Sequence, residues 1–385
     1  MSSPQPSSKL PDIPSVNEVR LNGRLWLVAL ALIGVALWAT PRIWKRAERF
    51  EITADYRIPY SLSRDYWLYQ RRMEQIKDPQ QIVVLGDSVV WGEYVLPDGT
   101  LAHFLNEQCG QPERFLNGGV NGLFPLAMEG LVKHYGEPLR GRKVILHCNL
   151  LWMSSPKADL NVQKEEKFNH SRLVPQFSPR IPCYKANANE RLSVIVERNV
   201  QFMSWVTHLQ SAYFNDRSIP AWTLEDDGND PPSYPNSYKN PFAQITMRVP
   251  PSPANDPLRS PSGQRHKPWN ATGGSLVQFE WVELDKSLQW AAFKRTLEKL
   301  RARRNEVLVL LGPFNEHVIA QESLDGYHKL RDGAMSWLKN QGTDCILPEP
   351  LPSDLYADAS HPLTDGYRLL ARRVSEDAGF RRWMK

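Results

Sequence analysis

The sequence predicts an α/β protein, a mostly parallel sheet with helices on both faces, carried behind an N-terminal membrane-spanning helix. Three observations predict it. Short, continuously apolar runs such as "KVILHC" and "EVLVLL" alternate with longer amphipathic stretches. Runs of that kind are strands buried on both faces, as in a parallel sheet covered by crossover helices. The runs end in glycine and polar residues, as strands do when they feed a binding rim. Finally, residues 25–39, LWLVALALIGVALWA, carry no charge.

Taken in order, residues 1–24 form a polar tail rich in Ser and Pro, expected to be disordered. Residues 25–44 read as a membrane anchor. The uncharged core is short for a span of about 20 residues, but flanking Trp and Arg side chains can reach the interface. Leu37-Trp38-Ala39 is a poor cleavage site, so the anchor is expected to be retained. Arg42, Lys45, Arg46 and Arg49 outnumber Lys9, Arg20 and Arg24. By the positive-inside rule this leans towards a cytoplasmic C-terminal domain. Residues 45–80 read as a charged, aromatic connector with a helix near Arg64–Lys77.

Residues 81–385 read as the main domain. Strands are expected at Gln81–Leu85, Arg114–Leu116, Lys143–Cys148, Glu306–Leu311 and Asp344–Leu347. Helices are expected at Leu101–Gln108, Pro125–Tyr135, Leu284–Arg304, Ala320–Asn340 and from Thr364 onwards. Residues 155–280 read as an insertion, with helix near Ala188–Gln210. Eleven of the chain's 31 prolines fall between Pro220 and Pro268, which excludes long helices and central strands there.

Composition narrows the function. The net charge of +5 is spread along the chain, with no basic stripe interleaved with aromatics, so nucleic acid is not an expected partner. Cys109, Cys148, Cys183 and Cys345 lack metal-ligand spacing. Cys148 reads as a buried thiol, and a disulfide among the others stays open. His134, His208, His266, His317 and His328 also lack metal spacing. No metal or organic cofactor is expected. The 13 tryptophans read most simply as core residues.

Polar residues follow the strands: Gly86-Asp87-Ser88, then Asn117-Gly118-Gly119-Val120-Asn121-Gly122, then Asn149, and Asp358-Ala359-Ser360-His361 before the last helix. A serine hydroxyl becomes a nucleophile only when a base takes its proton. His361 can be that base, and Asp358 can orient it. The N–H groups of Ser88 and Gly119 and the amide of Asn149 can bind an oxyanion. Gly119 leaves room for substrate. Ser88 is expected to open a helical turn whose dipole favours negative charge. Trp91 and His317 are expected near the substrate.

This set resembles the SGNH (GDSL-type) hydrolase family, with Ser88 in "GDS", Gly119 in "NGGVNG", Asn149, and Asp358 and His361 in "DxxH". The third block reads His147-Cys148-Asn149-Leu150 where the family usually carries Gly-x-Asn-Asp. The resemblance covers 81–152 and about 304–375. It implies a flavodoxin-like three-layer fold and cofactor-free ester chemistry. Membrane-anchored relatives resemble bacterial envelope proteins that add or remove acetyl groups on exported polysaccharides. That implies a single-pass protein of the cytoplasmic membrane, its catalytic domain extracytoplasmic (periplasmic) despite the charge bias. The expected substrate is an acylated carbohydrate or other ester, with envelope polysaccharide machinery as a partner. The insertion's Trp205, Tyr213, Trp222, Tyr234, Tyr238 and Trp269 can stack on sugars or pin a long loop to the body. An envelope scaffold that keeps the fold without catalysis is the alternative.

Overall fold

In the computed structural model, which describes residues 22–224, 239–251 and 266–385, the chain divides into two units, 1–46 and 47–385. The first contains nearly all of helix α1 (Gly23–Ala47). Its 25 residues are long and apolar enough to cross a membrane, with an 18-residue stretch of mean hydropathy 1.7. Pro41 lies within it, and Arg42 turns back, its guanidinium 4.3 Å from the Trp38 ring and donating to the Trp38 carbonyl at 2.6 Å. Tyr234 and Tyr238 lie outside the described residues.

In the second unit, helix α2 (Tyr66–Glu74) precedes strand β1 (Ile82–Gly86), which turns directly into the single-turn helix α3 (Ser88–Trp91). Helix α4 (Leu101–Cys109), strand β2 (Phe115–Gly119), helix α5 (Pro125–Tyr135) and strand β3 (Lys143–Cys148) follow. The insertion holds α6 (Ala188–Asn199), α7 (Gln201–Tyr213) and two short helices, α8 (Ile219–Thr223) and α9 (Pro241–Gln244). The alternation resumes with α10 (Leu288–Ala302), β4 (Glu306–Leu311), α11 (Gln321–Asn340), β5 (Asp344–Ile346), α12 (Thr364–Glu376) and α13 (Ala378–Met384).

The five strands are all parallel, in the order β2-β1-β3-β4-β5. Side chains alternate across the sheet and divide two cores. Val83, Leu85, Val144, Leu146, Val309 and Leu311 face α2, α5, α10 and α11. Ile82, Val84, Ile145, Leu308 and Leu310 face α4, α12 and α13. Burial on both faces explains why the runs are apolar without polar alternation. The chain leaves β1 for β2 on one side and returns to β3 on the other, so the crevice between the carboxyl ends of β1 and β3 is the ligand position such sheets favour.

Residues 47–80 of the expected connector belong to the second unit. Tyr56, Ile58, Leu62, Leu68, Tyr69 and Met73 are buried in the core over α5. Buried charges mark this region as well. Glu48 is ion-paired with Arg71, and accepts a bond from the Tyr213 hydroxyl. His208 lies 2.6 Å from Asp65 and 3.0 Å from Glu48. The insertion is likewise built into the body. Asp159 accepts from Ser287 and from the Leu288 and Gln289 N–H groups, capping α10. Asn187 and Glu190 form a capping box that starts α6. Where prolines cluster, the described residues contain the short helices α8 and α9 and a bridge of Arg248 to Arg49, and a 3₁₀ turn follows at Trp269–Thr272. The last helix breaks at Asp377, whose side chain caps α13. All four cysteines are free thiols.

Candidate active site

The bend after β1 is steric in origin. A Cβ on Gly86 would lie 2.4 Å from Val90 Cγ2 and 2.8 Å from His147 Cβ, so only glycine lets the strand fold directly into α3. Asp87 caps that turn through Val89 N–H at 3.0 Å, leaving Ser88 as the first helical residue. With one turn, α3 supplies local N–H groups but little macrodipole.

Ser88 Oγ is 2.8 Å from His361 Nε2. His361 Nδ1 is 2.8 and 2.9 Å from the two carboxylate oxygens of Asp358. Asp358 and His361 share a closed loop. Tyr356 bridges Pro362, Ala357 N–H donates to the His361 carbonyl at 2.8 Å, and Leu363 N–H donates to Leu355 at 2.8 Å. Asp358 Oδ1 also accepts from Ser360 and His361 N–H, each at 2.9 Å. Asn315 braces the loop from the end of β4, donating to the Asp358 carbonyl from its side chain (3.0 Å) and to that of Ala359 from its backbone (2.9 Å). Burial pushes the His361 pKa down, but the Asp358 hydrogen bond and charge, with Glu93 and Asp87 behind them, outweigh it and raise it. Burial pushes Asp358 up, and its bonds to His361 and the loop N–H groups bring it down.

Asn149, at the end of β3, donates to Asp87 Oδ2 at 3.0 Å and accepts from Leu151 N–H at 3.0 Å. One hydrogen of its amide remains for a ligand. His147 fills the space beneath, its Nδ1 3.1 Å from Asp87 Oδ1 but out of hydrogen-bond alignment. Burial raises the Asp87 pKa, yet the His147 and His361 charges and the Asn149 bond hold it below the usual carboxylate range.

Gly119 differs from its expected role. Its N–H already donates to Asn117 Oδ1 at 3.0 Å. A Cβ there would meet Trp91 N at 2.3 Å, so the glycine serves the contact of β2 with α3 rather than substrate access. Val120 N–H is bonded to Gly86 and Leu123 N–H to Val120. Among the described residues, no backbone carbonyl accepts from the N–H groups of Asn121 and Gly122, and the Asn121 carbonyl accepts from His170.

Trp91 is not at the substrate. It is 1% exposed, its indole N–H donates to the Ile58 carbonyl at 2.7 Å, and Arg57 stacks on it at 4.0 Å. It follows Ser88 on an inward-facing turn, so it packs into the core. His317 is exposed, contacts the Leu351 carbonyl at 3.3 Å, and makes no bond to Ser88, Asp358 or His361. Of the insertion's aromatics, Tyr213 is bound to Glu48, and Trp269 donates to Ser353 at 3.0 Å while its own N–H reaches Tyr356. These two pin the insertion to the body. Trp205 packs at a tilt against Phe202, and Trp222 packs edge-on against Phe214.

Sequence reasoning noted Asp87 and Asn117 without giving them a role and missed Glu93, whose Oε2 is 3.4 Å from His361 Nε2. Tyr94, in the left-handed region at φ 68°, sets its ring edge against His361 at 5.5 Å and meets His266 at 4.2 Å. The arrangement can transfer a serine proton to an imidazole held by a carboxylate, with the Ser88 N–H at the start of α3. Compared with known protein families the chain matches none, and no curated protein matches it either.

Proposed function

We propose that this protein is a membrane-anchored serine esterase or O-acyltransferase of the SGNH type, acting through an acyl-Ser88 intermediate on acyl esters of envelope or exported carbohydrate. The observation that carries the reading is the Ser88–His361–Asp358 chain, with contacts of 2.8 Å at each step. Its position at the β1/β3 crevice adds to it. His361 takes the Ser88 proton as Oγ bonds to the ester carbonyl carbon. The carbonyl oxygen, now an anion, is held by N–H donors. The bond to the leaving alcohol breaks, and His361 returns the proton to that alcohol. Water or a carbohydrate hydroxyl then gives its proton to His361, takes the acyl group, and restores Ser88. No metal or organic cofactor enters. The apolar helix α1 anchors the protein in the cytoplasmic membrane, with the catalytic unit on the extracytoplasmic side.

The test uses the full chain in detergent, because trimming to about residue 50 would remove Glu48 from the core. Release of p-nitrophenol from p-nitrophenyl acetate is compared for wild type, Ser88→Ala and His361→Ala. Turnover by wild type and loss of nearly all of it in both variants supports the acyl-serine route. An inert wild type that also fails to react with a fluorophosphonate at Ser88 favours the scaffold reading.

A further inference from the structure

We propose that Glu93 is the acceptor-binding residue of this site, the carboxylate that holds the hydroxyl compound which receives the acyl group. This rests on the acyl-Ser88 reading above. The nitrogen that must deprotonate the acceptor is His361 Nε2, and it faces two oxygens, Ser88 Oγ at 2.8 Å and Glu93 Oε2 at 3.4 Å. Once Ser88 is acylated, its oxygen carries no proton and the nitrogen is open to the acceptor. A hydroxyl oxygen within hydrogen-bond distance of Nε2 is then also beside Glu93. Water can donate one hydrogen to each. A carbohydrate can donate its reacting hydroxyl to His361 and a neighbouring hydroxyl to Glu93. In the step itself the acceptor proton passes to Nε2, the acceptor oxygen bonds to the acyl carbon, the bond from that carbon to Ser88 Oγ breaks, and Nε2 returns the proton to Oγ.

Glu93 is held in place by the fold. Gly92 turns the chain back at φ 89°, and Glu93 N–H donates to the Ser88 carbonyl at 3.0 Å. Arg57, wholly buried, holds the loop on both sides of Glu93, donating to the carbonyls of Trp91 (3.1 Å), Gly92 (2.5 Å) and Val95 (2.8 Å). The Glu93 side chain keeps 20% of its surface exposed, so an acceptor can reach it.

The experiment separates the two half-reactions on the full chain. Acyl-Ser88 formation from p-nitrophenyl acetate is followed as the burst of p-nitrophenol, and its decay by intact mass, in water and with added oligosaccharide diols. In Glu93→Ala the burst rate at its pH plateau is expected to stay within about threefold of wild type, while decay slows by about tenfold or more. Glu93→Gln falls between, since it keeps an oxygen acceptor without the charge. Among the described residues the titratable groups facing His361 include Asp358, Glu93, Asp87 and Tyr94, and removing the Glu93 charge moves the pH limb of the burst to lower pH in both variants. Equal decay rates in wild type and Glu93→Ala, or burst and decay falling together, would overturn the assignment. A wild type that forms no acyl-Ser88 at all would instead overturn the acyl-enzyme reading beneath it.

Discussion

Asp87 and Asn149 meet across the two strands that flank the crevice, Asp87 Oδ2 accepting from Asn149 Nδ2 at 3.0 Å. The same carboxylate caps the turn that presents Ser88. One buried anion therefore sets both the nucleophile and a candidate oxyanion donor. Asp87→Asn places an amide hydrogen against the Asn149 amide or the Val89 N–H. We expect a stability loss of about 1–3 kcal/mol and a fall in esterase rate on the order of 10²-fold from misplacement. Urea midpoints and p-nitrophenyl acetate turnover measure the two; an unchanged rate would separate Asp87 from the site.

The pH dependence follows from His361. Only neutral imidazole accepts the Ser88 proton, and the carboxylates around it raise its pKa above the ordinary value of about 6.5. Activity should therefore be lost as pH falls through a midpoint above about 6.5. Asp358→Asn should move that midpoint to lower pH and cut the plateau about 10³–10⁴-fold. A pH–rate profile for each protein decides it.

Gly119→Ala tests the steric assignment. With its Cβ against the Trp91 backbone, α3 and β2 must separate, at a cost of about 2 kcal/mol or more. Thermal unfolding reads this directly. A variant as stable as wild type but inactive would return Gly119 to the oxyanion role.

The His208 cluster gives a prediction away from the site. Burial opposes its charge, but Asp65 and Glu48 outweigh burial and raise its pKa to about 9. The folded value exceeds the unfolded one of about 6.5. Its contribution to stability is thus fully present below about 6.5 and is lost as pH rises through about 9. Urea midpoints should fall across that window in wild type and less steeply in His208→Ala, which itself should cost about 3 kcal/mol.

The fold was legible where one physical pattern dominates. Lys143–Cys148 and Glu306–Leu311 are strands from end to end because burial on both faces requires unbroken apolar runs. Strand β2 was under-read. Asn117, Gly118 and Gly119 look like a loop by composition, yet they pair with Val84, Leu85 and Gly86. The 45–80 segment was misplaced because Glu48, Arg57, Asp65 and Arg71 read as surface, and their buried partners are distant in sequence. Within the site, Ser88, Asp358 and His361 were readable because each closes or follows a strand-like element with a motif of its own. Glu93 carried no such signal. Its approach to His361 depends on the left-handed turn at Gly92 and on Arg57, far upstream. The His147-Cys148-Asn149 sequence also becomes intelligible in three dimensions. The His147 Cβ occupies space that Gly86 leaves open, and its imidazole lies beside Asp87.

The loop from Tyr356 to Pro362 carries acid and base together on its own closed set of bonds, while the serine belongs to the sheet. Acid and base therefore share one loop, which Asn315 ties to the end of β4, and one hydrogen bond runs from that loop to Ser88. Displacing that loop by about 1 Å would lengthen the contact to Ser88 while leaving the His361–Asp358 pair intact, and the bonds from Asn315 and Tyr356 to their neighbours resist it. On the acyl-serine reading, strain on that loop would therefore set the reactivity of Ser88 without anything touching the serine.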